Sequence, residues 1–143
     1  MKSNSFNILL VEDEPDHAHL IMRELKKSGV TNNIDWVEDG NLAIEYLQGT
    51  GNFEGSTWST LGLILLDIKL PKLNGLEVLE WIKNNSGTKN IPVVMLTTSA
   101  DIKDIEKSYS LGANLYVEKS VENFVKRIKN IGLYCKYLSN TKS

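Results

Sequence analysis

The chain has 143 residues, 41% of them hydrophobic and 24% charged, a globular composition long enough for one ordinary domain with its own core. Its net charge of −2 and pI near 5.7 argue against a nucleic-acid binder, which carries a strong basic excess. No apolar run approaches the roughly 18 residues needed to span a bilayer. The start Met1-Lys2-Ser3-Asn4-Ser5 has no signal-peptide core, and a lone Cys135 allows neither an internal disulfide nor a cysteine metal cluster. The expectation is one cytoplasmic domain over 1–143, core about 6–136, with no membrane partner.

Five short Ile/Leu/Val-rich segments alternate with helical patterns. Phe6 to Val11 reads as the first strand and runs out into Glu12-Asp13-Glu14-Pro15-Asp16. Ala18, Ile21, Met22 and Leu25 then fall at i, i+3, i+4 and i+7, one apolar helical stripe, which Gly29 ends as a C-terminal cap. Ile34 to Val37 is the second strand, followed by a helix over about 39–48. Gln48 to Thr60 is a long Gly/Ser/Thr-rich connection holding Phe53 and Trp58, either a functional loop or a tolerated insertion.

Leu61 to Leu66 is apolar without alternation, as in a strand covered on both faces. Asp67 closes it, and Ile68-Lys69-Leu70-Pro71-Lys72-Leu73-Asn74-Gly75 must turn rather than continue as a helix. A helix over about 75–85 precedes the fourth strand, Ile91 to Leu96, which runs into Thr97-Thr98-Ser99. A fourth helix spans about 101–110, with Gly112 as its cap. Leu115 to Val117 leads into Glu118-Lys119-Ser120, and Val121, Phe124, Val125, Ile128 and Ile131 stripe the last helix.

Five β-α units predict an α/β, flavodoxin-like doubly wound fold: a five-stranded parallel sheet in the order 2-1-3-4-5 with five helices. Ligands of such sheets sit at the carboxyl ends of the strands. There the order gathers Glu12 and Asp13, Asp67, Thr97 and Lys119, each pair or residue from a different strand. Taken singly, each has an ordinary explanation: a helix cap, a strand-ending charge, a solvated lysine. Together they form a set. Converging carboxylates repel, and a hard divalent cation such as Mg²⁺, which takes oxygen ligands, relieves that repulsion. A carboxylate can be the nucleophile toward a phosphoryl group. The transfer then needs mainly positioning and neutralisation of the phosphoryl oxygens, which Mg²⁺, Lys119 and the Thr97 hydroxyl would supply.

The stretches Val11-Glu12-Asp13-Glu14, Leu66-Asp67-Ile68-Lys69-Leu70-Pro71 with Gly75, Leu96-Thr97-Thr98-Ser99 and Gly112-Ala113-Asn114-Leu115-Tyr116-Val117-Glu118-Lys119 resemble the receiver domain of two-component response regulators, a CheY-like superfamily, across nearly the whole chain. The closer likeness is to single-domain regulators of bacterial phytochrome-type histidine kinases. The resemblance implies that Asp67 is the phosphoacceptor and that Glu12, Asp13, Asp67 and the Lys69 carbonyl bind Mg²⁺. It further implies that Thr97 is the switch hydroxyl, Tyr116 the aromatic rotamer switch and Lys119 the phosphate-binding lysine. Two departures stand out. Glu12 replaces the usual first Asp, and Ser120 follows Lys119 where the pattern has Pro, often cis. A cis bond to a non-proline residue costs about 2.5–4 kcal/mol, so that peptide is expected either trans or held under strain.

The implied function is a stand-alone phosphoacceptor, not an enzyme, that signals through a face made of the fourth helix, fifth strand and fifth helix. With no DNA-binding segment after the last helix, the output is expected to be a downstream protein contact. Lys126, Arg127, Lys129 and Lys136 beside Ile131, Leu133, Tyr134 and Tyr137 suggest a partner or homodimer surface, although basic helix faces are often simply solvated. Lys69 and Ser99, two residues after Asp67 and Thr97, flank the path of an attacking water, and a long Lys69 would shield an acyl phosphate. Three rival readings fit the sequence less well. A flavodoxin-like cofactor binder would want Ser, Thr or Gly where four acids stand. An aspartyl-nucleophile phosphatase generally wants a second Asp where Lys69 stands. A phosphorylation-independent binding module leaves the full site unexplained. His17 and His19 diverge by about 200° on a helix and read as ordinary surface histidines rather than a metal pair.

Overall fold

The computed structural model describes residues 6–49, 61–119 and 124–141. Ten elements alternate: β1 (Asn7–Val11), α1 (Pro15–Lys27), β2 (Ile34–Val37), α2 (Gly40–Gln48), β3 (Leu61–Leu66), α3 (Gly75–Asn84), β4 (Val93–Thr97), α4 (Ile102–Ser110), β5 (Leu115–Glu118) and α5 (Phe124–Thr141). The five strands are parallel and ordered β2-β1-β3-β4-β5, the flavodoxin-like arrangement expected from the alternation. Among the described residues no helix is long and apolar enough to cross a membrane.

Period-two geometry divides each central strand between two cores. Ile8, Leu10, Leu63, Leu65, Val94 and Leu96 face one way and pack with Ala18, Ile21 and Leu25 of α1 and Ile131 of α5. Leu9, Val11, Ile64, Leu66, Val93 and Met95 face the other and pack with Ala43 and Leu47 of α2 and Val78, Leu79 and Ile82 of α3. That double cover explains why Leu61 to Leu66 shows no alternation. Each fully buried Leu or Ile stabilises the fold by about 1.5–3 kcal/mol, so the central strands carry much of its stability.

Helix ends follow the local chemistry. Asn74 and Glu77 form a reciprocal capping box at the start of α3, with both bonds at 3.1 Å. Asp39 caps α2 through the Leu42 N–H at 2.8 Å. Gly29 (φ 98°) and Gly112 (φ 109°) take the left-handed conformation just past α1 and α4, as their positions in the sequence suggested.

Four strand boundaries differ from the sequence reading, and the first is the start of β1, at Asn7 rather than Phe6. β4 begins at Val93, not Ile91, because Pro92 has no N–H for the ladder; only its carbonyl contributes, accepting from Ile64 N–H at 3.0 Å. β4 also continues through Thr97, and β5 through Glu118. The loop with Phe53 and Trp58, the Lys119–Ser120 peptide and Val121 lie outside the described residues, as do the side chains of Phe124, Val125 and Ile128.

Candidate functional site

The backbone ladder runs one residue beyond several strands and so fixes what stands at the sheet's carboxyl edge. Asp67 N–H donates to the Val11 carbonyl at 3.1 Å, Glu12 N–H to Val37 at 3.0 Å and Lys119 N–H to Thr97 at 2.7 Å. Glu12 and Asp67 therefore leave the sheet side by side, and Lys119 leaves it from β5, on the far side of β4. On the outer side, the Trp36 indole of β2 donates to the Glu12 carbonyl at 2.7 Å and pins the acid pair's backbone.

The loop after β3 folds back tightly. Gly75 N–H donates to the Ile68 carbonyl at 2.7 Å, and a Cβ at Gly75 would lie 1.9 Å from the Asp67 carbonyl oxygen. Only glycine permits that approach. Lys72 adopts φ 71° within this loop, a left-handed conformation uncommon for a residue with a side chain. Lys69 is exposed, and its N–H points to Asp67 Oδ1 at 3.4 Å.

The Lys119 ammonium sits between two carboxylates, donating to Glu12 Oε1 and, at 3.0 Å, to Asp67 Oδ2. These side chains are 4%, 1% and 8% exposed for Lys119, Glu12 and Asp67. Burial raises the Glu12 carboxyl above its ordinary value; the Lys119 hydrogen bond and charge oppose this, and the Asp67 charge adds to it. Glu12, Asp13 and Asp67 each bring one oxygen within 4.8 Å of the others. Glu12 and Asp67 pair with the ammonium, and the all-oxygen set completed by Asp13 suits a hard divalent cation.

A second network starts at Thr97. Its buried hydroxyl accepts from Ser99 N–H at 3.3 Å. Ser99 Oγ donates to Asp104 Oδ2 of α4 at 2.7 Å and accepts from Asp101 N–H at 3.2 Å. The Tyr116 hydroxyl donates to the Ser99 carbonyl at 2.8 Å. Glu12, Asp13, Asp67 and Lys119 thus come together, while Thr97 and Tyr116 are joined to each other through Ser99.

Three contacts were not foreseen: the Trp36 anchor, the Ser99–Asp104 bond, and His17. The last corrects the reading of both histidines as ordinary surface residues. His17 Nδ1 lies 3.3 Å from Lys119 Nζ and 3.6 Å from Glu12 Oε2. His19 does point elsewhere, meeting Trp36 edge-on at 5.5 Å. The available signal for His17 was its place in the first turn of a helix that begins directly after the acid pair.

A doubly wound sheet of this order, with an acid cluster around a buried lysine at its carboxyl edge, defines a CheY-like signalling domain. Residues 8–129 match the response regulator receiver domain, and the chain belongs to that family. Among curated relatives, response regulator Rcp1 of Synechocystis sp. is 44% identical over 113 residues, covering 79% of this chain and 76% of that protein. The probable methanogenesis regulatory protein FilR2 of Methanothrix harundinacea is 42% identical over 131 residues, covering 90% and 83%. Among solved structures, the phosphorylated cyanobacterial phytochrome response regulator RcpA superposes with a TM-score of 0.85 at 37% identity, covering 92% of this chain and 94% of that one. The Mn²⁺-bound form of Rcp1 superposes with a TM-score of 0.82 at 41% identity, covering 88% and 91%.

Proposed function

We propose that the protein is a receiver that takes a phosphoryl group from a kinase phosphohistidine onto Asp67. The carrying observation is the position of Asp67, held 3.0 Å from the Lys119 ammonium and grouped with Glu12 and Asp13. One Asp67 oxygen attacks phosphorus as the bond from phosphorus to the histidine nitrogen breaks, and the imidazole leaves with that electron pair. Glu12, Asp13, Asp67 and the Lys69 carbonyl are the groups that would hold Mg²⁺, whose charge would neutralise one phosphoryl oxygen when bound. Lys119 neutralises a second oxygen, and the Thr97 hydroxyl donates to a third.

That demand on Thr97 is the switch. Turning toward a phosphoryl oxygen withdraws its Oγ1 from Ser99 N–H and disturbs the loop that Tyr116 and Asp104 share. The output surface is the α4-β5-α5 face, where Ile102, Tyr109, Leu115, Leu133 and Tyr137 are exposed. The partners are a histidine kinase, of the phytochrome type by analogy with the solved relative, and a downstream protein or second copy that meets this face. The chemistry needs no turnover of a separate substrate, so the protein works as a signalling element.

The test is incubation of the chain with acetyl phosphate and Mg²⁺, read by intact mass. One added phosphoryl group, absent in Asp67→Asn, is the expected result; no gain in the unmodified chain, or an equal gain in Asp67→Asn, overturns the reading. Sedimentation that finds only monomer, with and without phosphorylation, overturns the second-copy partner.

A further inference from the structure

A lysine ammonium has three N–H donors. Two of those of Lys119 go to Glu12 Oε1 and Asp67 Oδ2, and the third neighbour is His17 Nδ1 at 3.3 Å. Lys119 can only donate, so Nδ1 must accept, which leaves the imidazole proton on Nε2. The alternative, Nδ1–H donating to Glu12 Oε2, spans 3.6 Å, beyond hydrogen-bond length, and would turn an N–H toward the ammonium. Glu12 Oε2 already accepts the Glu14 N–H at 3.1 Å. The imidazole is 41% exposed while the other three side chains are nearly sealed, so it closes the solvent side of the group.

Helix α1 explains the placement. Pro15 takes its first position, directly after the acid pair, and Ala18 N–H closes the first turn on the Glu14 carbonyl at 2.9 Å. His17 therefore belongs to a rigid first turn rather than to a loop.

We infer that His17 is a positioning residue for the acceptor site: its Nδ1 accepts the third Lys119 proton and keeps the ammonium aimed at Asp67. The inference rests on the receiver reading above. Phosphorylation converts Asp67 into an acyl phosphate, so one of the three acceptors changes its charge and shape. His17 does not take part in that chemistry. Glu12 would be shared with Mg²⁺, so His17 is the acceptor that stays constant, and a four-carbon stem with free rotors needs one to remain oriented.

The test has two arms, both on the full chain. In ¹⁵N-labelled protein without phosphodonor or metal, at about pH 8 where free imidazole is neutral, His17 should show a bare Nδ1 and a protonated Nε2. Phosphorylation by acetyl phosphate with Mg²⁺ is then timed by intact mass for His17→Ala, His17→Asn and His17→Gln. The Ala variant should be slower by about tenfold, the size of one charge-assisted hydrogen bond. Asn, whose oxygen falls near the Nδ1 position, should restore most of the rate; Gln, whose oxygen reaches the Nε2 position, should not. An Nδ1-protonated imidazole, an Ala variant as fast as the parent, or equal rates for Asn and Gln would each overturn the inference. A parent chain that gains no phosphoryl group sinks the receiver reading instead, and the tautomer arm still decides the contact.

Discussion

Tyr116 donates its hydroxyl proton to the Ser99 carbonyl at 2.8 Å, tying β5 to the loop that leaves β4. Ser99 in turn touches Thr97 on one side and Asp104 of α4 on the other. A single residue thus joins the buried hydroxyl, the aromatic ring and the helix of the proposed output face. Tyr116→Phe removes the link and keeps the ring. It should lower stability by about 0.5–1.5 kcal/mol, the usual worth of one hydrogen bond. Urea unfolding measures this, and an unchanged midpoint would show that the bond carries no weight.

Gly75 is expected to tolerate no side chain. Its Cβ position meets backbone, the Asp67 carbonyl oxygen at 1.9 Å and Ile68 Cα at 2.7 Å, so relief requires moving the loop itself. Gly75→Ala should cost about 1–3 kcal/mol, the range for forced overpacking. It should also slow phosphorylation, because the displaced atoms belong to Asp67. A variant with parental stability and rate would contradict this.

Alkaline pH should loosen the α2–β2 contact. Burial, then the Asp35 hydrogen bond and charge, raise the Tyr46 phenol above its ordinary value, and Tyr46 Oη donates to Asp35 Oδ2 at 2.7 Å. The folded state holds this proton more tightly than the unfolded chain does. Its contribution is therefore complete below about pH 10, the free phenol's value, and declines as pH climbs above it. Denaturant midpoints of the parent should fall faster above that pH than those of Tyr46→Phe. Parallel slopes would dismiss the effect.

Lys69 is exposed two residues after Asp67, with its backbone N–H on the Asp67 carboxylate at 3.4 Å. Shielding of an acyl phosphate by its side chain predicts that Lys69→Ala loses the phosphoryl group about threefold to tenfold faster. Decay of the phosphorylated mass after removal of the donor measures this; an unaltered half-life removes the shielding idea.

The strand order was legible because both faces of β1, β3 and β4 are buried, which erases alternation and leaves unbroken apolar runs. Glu12 and Asp67 were legible because each directly follows such a run on adjacent strands; Lys119 was legible from its place just past β5, one residue beyond Glu118. His17 was not. Helical phase gives the angle between two side chains on one helix and says nothing of what the next element brings to either. Trp36 was hidden for a different reason: β2 is an edge strand of mixed burial, and its indole pairs with a backbone carbonyl, which leaves no trace in residue types. Ile91 continues the apolar run in the sequence, but Pro92 has no N–H for the ladder, and β4 begins after it.

The Trp36 bond to the Glu12 carbonyl has an optical consequence. An indole whose N–H ends on the backbone of the acid pair should change its emission when that backbone shifts, with no added dye. Intrinsic fluorescence should therefore respond to Mg²⁺ and again to acetyl phosphate, and Trp36→Phe should abolish most of both responses. If the signal survives the substitution, it originates at another tryptophan. If it does not, the protein carries its own gauge of the site, readable in real time in an unlabelled sample.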